Sequence, residues 1–147
     1  SLHDALPISE QLNQLHDFAL MAAGLGVVLG HNFPVYYGFK GGKGVATSLG
    51  VLLIMEWKIG LICLVFALVI ILSSRMVSLG CITAATLYPV LVLLMPGTAF
   101  YDKWLYLLFA VLLAVLLIVR HQANIKRLLN GTENKLWKTK SEKSDLK

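Results

Sequence analysis

The arrangement of apolar segments limits this chain more than any other feature of its sequence. Five stretches with almost no charge are separated by short polar turns. Crossing the hydrocarbon core of a bilayer takes about 20 apolar residues, with roughly 17 to 25 as the usual range. The fourth stretch meets this criterion, and the fifth meets it once its flanks are included. The stretches are residues 18–33, 44–55, 59–72, 76–96 and 104–119.

The second stretch is too short to cross a bilayer. A helix over residues 44–55 is roughly 18 Å long at about 1.5 Å per residue, and such a segment is tolerated when it packs against other helices or lines a polar cavity. Hydrophobic residues make up 57% of the chain and charged residues 14%, which leaves too little polar surface for a soluble domain. We therefore predict an all-α integral membrane protein, a bundle of about five membrane segments with one short half-span helix.

The charged residues sort to one side if successive segments alternate across the bilayer. On the other side Glu56 is balanced by Lys58, and Asp102 by Lys103. The positive-inside rule makes the cationic side, which includes the C-terminus, cytoplasmic. That side carries Lys40, Lys43, Arg75, Arg120, Lys126, Arg127 and five lysines near the C-terminus.

The two ends of the chain differ from its apolar middle. Residues 1–10, "SLHDALPISE", lack hydrophobic periodicity, and we predict a non-native or disordered start there. We predict a membrane domain over residues 11–136 and a polar cytoplasmic tail over 137–147 that contacts anionic lipid. Cys63 and Cys81 lie within apolar segments, so we expect small buried hydrophobic residues and no redox or metal role.

The loop before the short segment, "FKGGKGVAT" at 39–47, combines glycine with positive charge. Its glycines permit positive φ and let a ligand approach the backbone amides closely. A helix that begins near Gly44 presents unpaired N–H groups at its positive dipole end. These features predict an anion site, most naturally for phosphate. The residues predicted to bind phosphate here are Lys40, Gly41, Gly42, Lys43, Gly44 and Thr47.

Two other interpretations of this loop are available. A Walker A motif requires Gly, four residues and then Gly-Lys-Ser/Thr, but Tyr37 stands at the first glycine position and Gly44 follows Lys43. Nucleotide hydrolysis is therefore not predicted. In the plainer interpretation the lysines only set topology and the glycines only pack helices. Three glycines, a helix start and "HNFP" at 31–34 together favour anion binding.

Polar residues in three further places are candidates for the same face. His31 ends the first segment, where an ionisable group suggests function, although a simple interhelical hydrogen bond is the plainer interpretation. Arg75 and Ser78 follow the third segment in "RMVS" and could add a phosphate contact.

The last candidate cluster is "RHQANIKRLLNGTE" at 120–133. On a helix, Asn124 shares one side with Arg120 and Arg127, and Gly131 is placed to end that helix as a C′ residue. A juxtamembrane basic helix without further function is the alternative.

In this order the clusters resemble the bacterial membrane acyl-phosphate:glycerol-3-phosphate acyltransferases (the PlsY type) over roughly residues 11–136. The central motif of that family, "GH-x-x-P…FKGGKG-x-AT", is the longest and most specific match. The matching residues are Gly30, His31, Pro34, 39–44, Ala46 and Thr47, then Arg75, Val77 and Ser78 of "R-x-V-S", then His121, Asn124, Ile125, Arg127, Leu128, Gly131 and Glu133 of "H-x-x-N-I-x-R-L-x-x-G-x-E".

The resemblance implies acyl transfer from a fatty acyl phosphate to the 1-hydroxyl of glycerol 3-phosphate, giving lysophosphatidate and inorganic phosphate in phospholipid synthesis. It implies a bacterial inner-membrane enzyme without cofactor, metal or nucleic acid. Its partners would be the two substrates, membrane lipid and a soluble enzyme that makes acyl phosphate. The family's first motif, "GSGN-x-G-x-TN", has no counterpart in residues 1–29. We therefore expect the C-terminal two-thirds of such an enzyme, with five of seven membrane segments.

The same resemblance implies roles for the matched residues. The loop would hold glycerol 3-phosphate, while Arg75, Ser78, Asn124 and Arg127 would contact the acyl phosphate or the developing oxyanion. The general base stays open between His31, His121 and an oxygen of the donor's own phosphate. A membrane transporter or channel for phosphate-type anions is the rival function, although its site belongs near the midplane. A pure scaffold is the third alternative, and it gives no reason for the motif "KGGKG".

Overall fold

The structure is a computed structural model that describes residues 8–38, 41–97, 100 and 102–137. These residues form helices and turns without a β-strand. Four helices are long and apolar enough to cross a membrane, and a shorter apolar helix makes the fifth segment. The predicted all-α membrane bundle with one half-span helix is confirmed. Its helices are α1 (Ile8–Asn32), α2 (Val45–Met55), α3 (Trp57–Ser74), α4 (Val77–Leu94), α5 (Lys103–Arg120) and α6 (Gln122–Leu129), with a 3₁₀ turn at Val35–Tyr37.

Helix α1 begins earlier than the apolar stretch 18–33 indicates. Ile8, Leu12 and Leu15 are spaced by about one helical turn, and Glu10 stands in the first turn, where a negative charge favours the helix dipole. These apolar side chains are exposed, so they form an outward stripe. Residues 8–10, for which we expected no periodicity, are therefore the start of α1, while 1–7 lie outside the described residues.

Small residues let the helices approach closely. A Cβ added to Gly80 of α4 would lie 2.8 Å from the carbonyl oxygen of Ala67 in α3, and one added to Gly24 of α1 would lie 2.8 Å from Cγ1 of Val51 in α2. Close backbone approach of this kind is the usual means of packing helices in a bilayer. Cys63 and Cys81 are buried free thiols, as predicted.

The alternating helices bring several chain segments to one end of the bundle, which we call the polar end. It contains the end of α1, the start of α2, the turn between α3 and α4, and the whole of α6. At the other end Asp102 accepts hydrogen bonds from the backbone N–H groups of Trp104 and Leu105, at 2.9 and 3.1 Å, and so caps α5. As the predicted topology requires, the structure has the glycine-rich loop and the C-terminal motif at the same end of the bundle.

Candidate active site

The glycine-rich loop is folded against the end of α1. Gly44, the N-cap of α2, has φ +73°, a conformation that favours glycine. A Cβ on Gly41 would collide with the carbonyl oxygen of His31, and one on Gly42 would collide with the His31 ring. Among the three predicted loop glycines only Gly44 has positive φ. Gly41 is required instead by its close approach to the backbone of α1, whereas Gly42 packs against the exposed His31 ring.

Helix α2 begins without a side-chain cap. Within the described part of the chain, its first backbone N–H groups are therefore open to a ligand at the positive end of the helix dipole. Asn32 lies directly beside this start, because a Cβ on Gly44 would be 2.7 Å from its Oδ1. The Asn32 side chain is fully buried, and neither its oxygen nor its nitrogen has a hydrogen-bond partner within the described part of the chain. A buried amide in this condition is uncommon and calls for an explanation.

Lys43 connects the loop to the C-terminal motif. Its Nζ donates a hydrogen bond of 2.6 Å to Oδ1 of Asn124, 81 residues further along the chain. Asn124 is 3% exposed and lies on α6. Lys40, the other predicted lysine, lies outside the described residues. The contact brings the glycine-rich loop and the C-terminal motif at 120–133 together.

Asn124 also contacts Ser78 of the motif "RMVS". Its Nδ2 donates to Oγ of Ser78 at 2.6 Å and to Oε1 of Glu133 at 2.7 Å, and the Ser78 hydroxyl donates to the same carboxylate oxygen at 2.6 Å. Ser78 is buried in the first turn of α4. The donor hydrogens of Ser78 and Asn124 are therefore engaged within the network. We call Lys43, Ser78, Asn124, Arg127 and Glu133 the polar cluster.

Glu133 is the acceptor at the centre of this cluster. Its side chain is 4% exposed and also accepts a 2.8 Å hydrogen bond from Nε of Arg127. Burial by itself raises the pKa of a carboxyl group, but the hydrogen bonds from Ser78, Asn124 and Arg127 outweigh it and lower the pKa of Glu133 below its usual 4.5. The carboxylate is therefore ionised near neutral pH.

The end of α6 delivers Glu133 to the cluster. Gly131 has φ +68°, and N–H groups donate from Gly131 to the Leu128 carbonyl and from Thr132 to the Arg127 carbonyl, at 3.2 and 2.8 Å. This is a Schellman arrangement, so the prediction that Gly131 is the C′ residue is confirmed. The chain then runs back toward the turn after α3, where the Leu136 N–H donates to the Arg75 carbonyl at 2.8 Å.

His121 lies between α5 and α6 and is 1% exposed. Its Nδ1 is 2.8 Å from the Leu117 carbonyl oxygen, which can only accept, so Nδ1 carries the proton and Nε2 is left as an acceptor when the ring is neutral. Burial lowers the pKa of His121 below its usual 6.5; the hydrogen bond to Leu117 opposes this shift, and the charge of Lys43 adds to it. The ring is therefore neutral at pH 7.

Arg120 holds the loop against α5. Its guanidinium group donates to the carbonyl oxygens of Gly41 and Gly42, each at 3.0 Å, and its Cζ lies 5.1 Å from the ring centroid of Phe33. The sequence placed Arg120 among the cytoplasmic charges and on one helix side with Asn124, without a role of its own. Arg120, Asn32 and Glu133 were thus not predicted as site residues, although all three lie within the motifs "HNFP" and "RHQANIKRLLNGTE".

The remaining predicted residues also lie at the polar end. His31 is exposed at the end of α1 and packs against Gly42. Thr47 is half-buried in the first turn of α2. Arg75 follows α3 with φ 61°, an uncommon conformation for a residue other than glycine. The roles predicted for these residues stay predictions.

An apolar cavity of about 230 Å³ lies beneath the polar cluster, between α2, α3, α4 and α5. Val45, Val77 and Leu117 line it near the polar end, and each lies within a few residues of the site described above. Leu68, another lining residue, is 46% exposed, so the cavity borders the lipid-facing surface. A polar cluster above an apolar cavity is suited to a ligand with a charged head and a hydrocarbon tail.

The family model described as "Glycerol-3-phosphate acyltransferase" matches residues 5–131. The chain belongs to the glycerol-3-phosphate acyltransferase family. Relatives with that name in Thioalkalivibrio sulfidiphilus and Shouchella clausii are each 46% identical to it, over 86% and 79% of this chain. The matches cover 60% and 56% of those relatives, so the chain spans less than two-thirds of the length of these acyltransferases.

Solved structures of the family support the same assignment. The crystal structure of PlsY (YgiH), an integral membrane glycerol 3-phosphate acyltransferase, in its lysophosphatidic acid form is 40% identical and has a TM-score of 0.72 over 78% of this chain and 56% of that chain. The glycerol 3-phosphate form of the same protein is 39% identical in sequence and has a TM-score of 0.71. The family predicted from the three motifs is confirmed, and the chain is a multi-pass membrane protein.

Proposed function

We propose that this chain forms the catalytic part of an enzyme that transfers a fatty acyl group from acyl phosphate to the 1-hydroxyl of glycerol 3-phosphate. The products are 1-acylglycerol 3-phosphate and inorganic phosphate. The observation that carries the proposal is the hydrogen bond from Lys43 to Asn124, because it joins the glycine-rich loop and the C-terminal motif in one cationic site. The family name of the relatives supports the acceptor, glycerol 3-phosphate.

Lys43, the start of α2 and Asn32 are proposed to bind the phosphate of glycerol 3-phosphate. Lys43 supplies charge, the first turn of α2 supplies N–H donors, and Nδ2 of Asn32 is a buried donor with no partner within the described residues. A phosphate oxygen would satisfy that donor. An anion at the start of a helix is favoured by both the free N–H groups and the dipole.

Ser78, Asn124 and Glu133 are proposed to act as positioning residues. Their own donors are directed within this group, and Oδ1 of Asn124 accepts the hydrogen bond from Lys43. The network therefore fixes the ammonium group of Lys43 where a phosphate can reach it. Preorganised charge of this kind is an effective source of transition-state stabilisation.

The chemical step needs little beyond positioning, because an acyl phosphate is an activated mixed anhydride. The 1-hydroxyl oxygen forms a bond to the acyl carbon, the bond from that carbon to the phosphate oxygen breaks, and phosphate leaves with the electron pair. We assign the hydroxyl proton to Nε2 of His121, which is neutral and held in one tautomer. His31 is the weaker candidate because it is exposed and outside the network.

The proposal includes an orientation in the membrane and a source for the donor. The cationic polar end would face the cytoplasm of a bacterium, following the positive-inside rule, with the chain in the inner membrane. Acyl phosphate would come from a soluble enzyme at that surface, and the product would enter phospholipid synthesis.

The test is an acyl-transfer assay on the protein expressed from its complete reading frame and reconstituted in lipid. Labelled glycerol 3-phosphate and palmitoyl phosphate should give labelled lysophosphatidate with equimolar phosphate. No lipid product, combined with uptake of labelled phosphate into sealed vesicles, would overturn the proposal in favour of a phosphate transporter.

A further inference from the structure

We propose that Tyr88 closes the far end of the apolar cavity and thereby sets the longest acyl chain that the site accepts. The inference rests on the proposed function, since it assigns the cavity to the acyl chain of the donor. The cavity lining is almost entirely aliphatic, with Tyr88 of α4 as its aromatic member.

The polar atoms of the cavity orient the chain. Ser48 lines the cavity one turn into α2, and its hydroxyl is buried without a hydrogen-bond partner among the described residues. This position is near the polar cluster, so the hydroxyl can donate to the carbonyl oxygen of an acyl group whose phosphate lies above it. The hydrocarbon tail must then extend away from the polar end, toward Tyr88.

The helix geometry gives the depth available to that tail. Val77 lines the cavity at the start of α4, and Tyr88 lines it eleven residues later, which corresponds to roughly 16 Å along the helix. A cavity of about 230 Å³ over this length is narrow. It therefore suits one unbranched chain of limited length.

The far end is rigid, because Tyr88 belongs to an aromatic stack. Its ring meets that of Tyr106 edge to face, with centroids 6.3 Å apart, and Tyr106 stacks on Phe100 at 4.2 Å. Tyr88 is 3% exposed and Tyr106 fully buried. Beyond this length a straight chain must displace the stack, and overpacking of this kind is destabilising. Otherwise the chain must bend sideways past Leu68 toward the lipid-facing surface.

The experiment measures binding, so it does not depend on turnover. Dissociation constants of saturated n-alkyl phosphates, from decyl to octadecyl, are measured by competition in lipid nanodiscs for the unmodified protein, Tyr88→Ala, Tyr88→Phe and Ala84→Leu. Each variant is compared with the unmodified protein at the same chain length, which cancels partitioning into lipid. Ala84 lines the cavity one turn closer to the polar end, so a larger side chain there shortens the cavity.

Tyr88→Ala should bind octadecyl phosphate about tenfold more tightly than the unmodified protein does, with decyl phosphate unchanged. Tyr88→Phe should match the unmodified protein at every length. Ala84→Leu should weaken the longer ligands selectively, which tests the idea independently if Tyr88→Ala does not fold. Equal effects of each variant at all chain lengths would overturn the inference.

The result separates the two proposals. Length-dependent binding without acyl transfer in the complete enzyme would refute the proposed function and leave the role of Tyr88 standing. Acyl transfer with unaltered length dependence in both Tyr88→Ala and Ala84→Leu would refute the role of Tyr88 alone.

Discussion

Lys43 and Asn124 are 81 residues apart in sequence and are joined by a hydrogen bond of 2.6 Å. Asn124 cannot turn away from Lys43 without breaking its hydrogen bonds to Ser78 and Glu133. The position of the ammonium group is therefore determined by four separate parts of the chain: the loop, α4, α6 and the segment after α6.

Replacing Lys43 by alanine should raise the KM for glycerol 3-phosphate about tenfold or more, because a charge-assisted hydrogen bond contributes about 1.5–3 kcal/mol. Steady-state kinetics of lysophosphatidate formation measure the effect. Lys126→Ala is the matched control, since Lys126 is exposed on α6 and its loss removes the same charge. Equal changes in the two variants would mean that Lys43 acts only through net charge.

Replacing Asn32 by leucine should separate stability from binding. The substitution removes a buried amide that has no partner among the described residues, so the ligand-free protein should gain stability of about 1 kcal/mol. Binding of glycerol 3-phosphate should weaken at the same time. Thermal unfolding and calorimetric titration measure the two quantities, and a stabilised variant with unchanged affinity would remove Asn32 from the phosphate site.

Replacing Glu133 by glutamine should destabilise the polar end by about 1–3 kcal/mol, because Arg127 loses its charged partner and buried donors lose an acceptor. The lowered pKa also gives a pH dependence. A carboxyl with a lowered pKa in the folded protein contributes stability that is complete above 4.5 and is lost as pH falls through the lowered value. Thermal unfolding should show this loss of stability at low pH in the unmodified protein and a smaller loss in Glu133→Gln. The same loss of stability at low pH in both proteins would contradict the assignment.

The activity should depend on the protonation of His121. Its lowered pKa means that the neutral ring, which is the form able to accept a proton, is the major form at pH 6.5 and above. Activity should therefore rise with pH below 6.5 and level off near neutrality. In His121→Ala, kcat should fall about a hundredfold or more and this acid limb should disappear. Unchanged turnover would transfer the base role to the phosphate of the donor.

The sequence predicted the membrane segments because their apolar lengths leave few alternatives. Even the half-span helix α2 follows from the length of one stretch. The start of α1 was missed, because Ile8, Leu12 and Leu15 are the apolar residues of one helix side within a stretch that is otherwise mostly polar.

The meeting of the three motifs was also predictable, since alternating helices bring them to the same end. What each side chain does there was not predictable. Glu133 becomes the central acceptor only after the turn at Gly131 reverses the chain, and Gly42 packs against the His31 ring. Gly131 itself was predicted, but the contact of Glu133 with Ser78 joins residues 55 positions apart, and local spacing carries no information on such a contact.

A double-mutant cycle on Lys43 and Asn124 tests the central claim most directly. The value of kcat/KM for glycerol 3-phosphate is measured in the complete enzyme for Lys43→Ala, Asn124→Ala and the double variant, with thermal unfolding as a check on folding. If Asn124 acts by positioning Lys43, the double variant should be little worse than either single variant, with a coupling energy of about 1 kcal/mol or more. Effects that add to within about 0.5 kcal/mol would contradict the account.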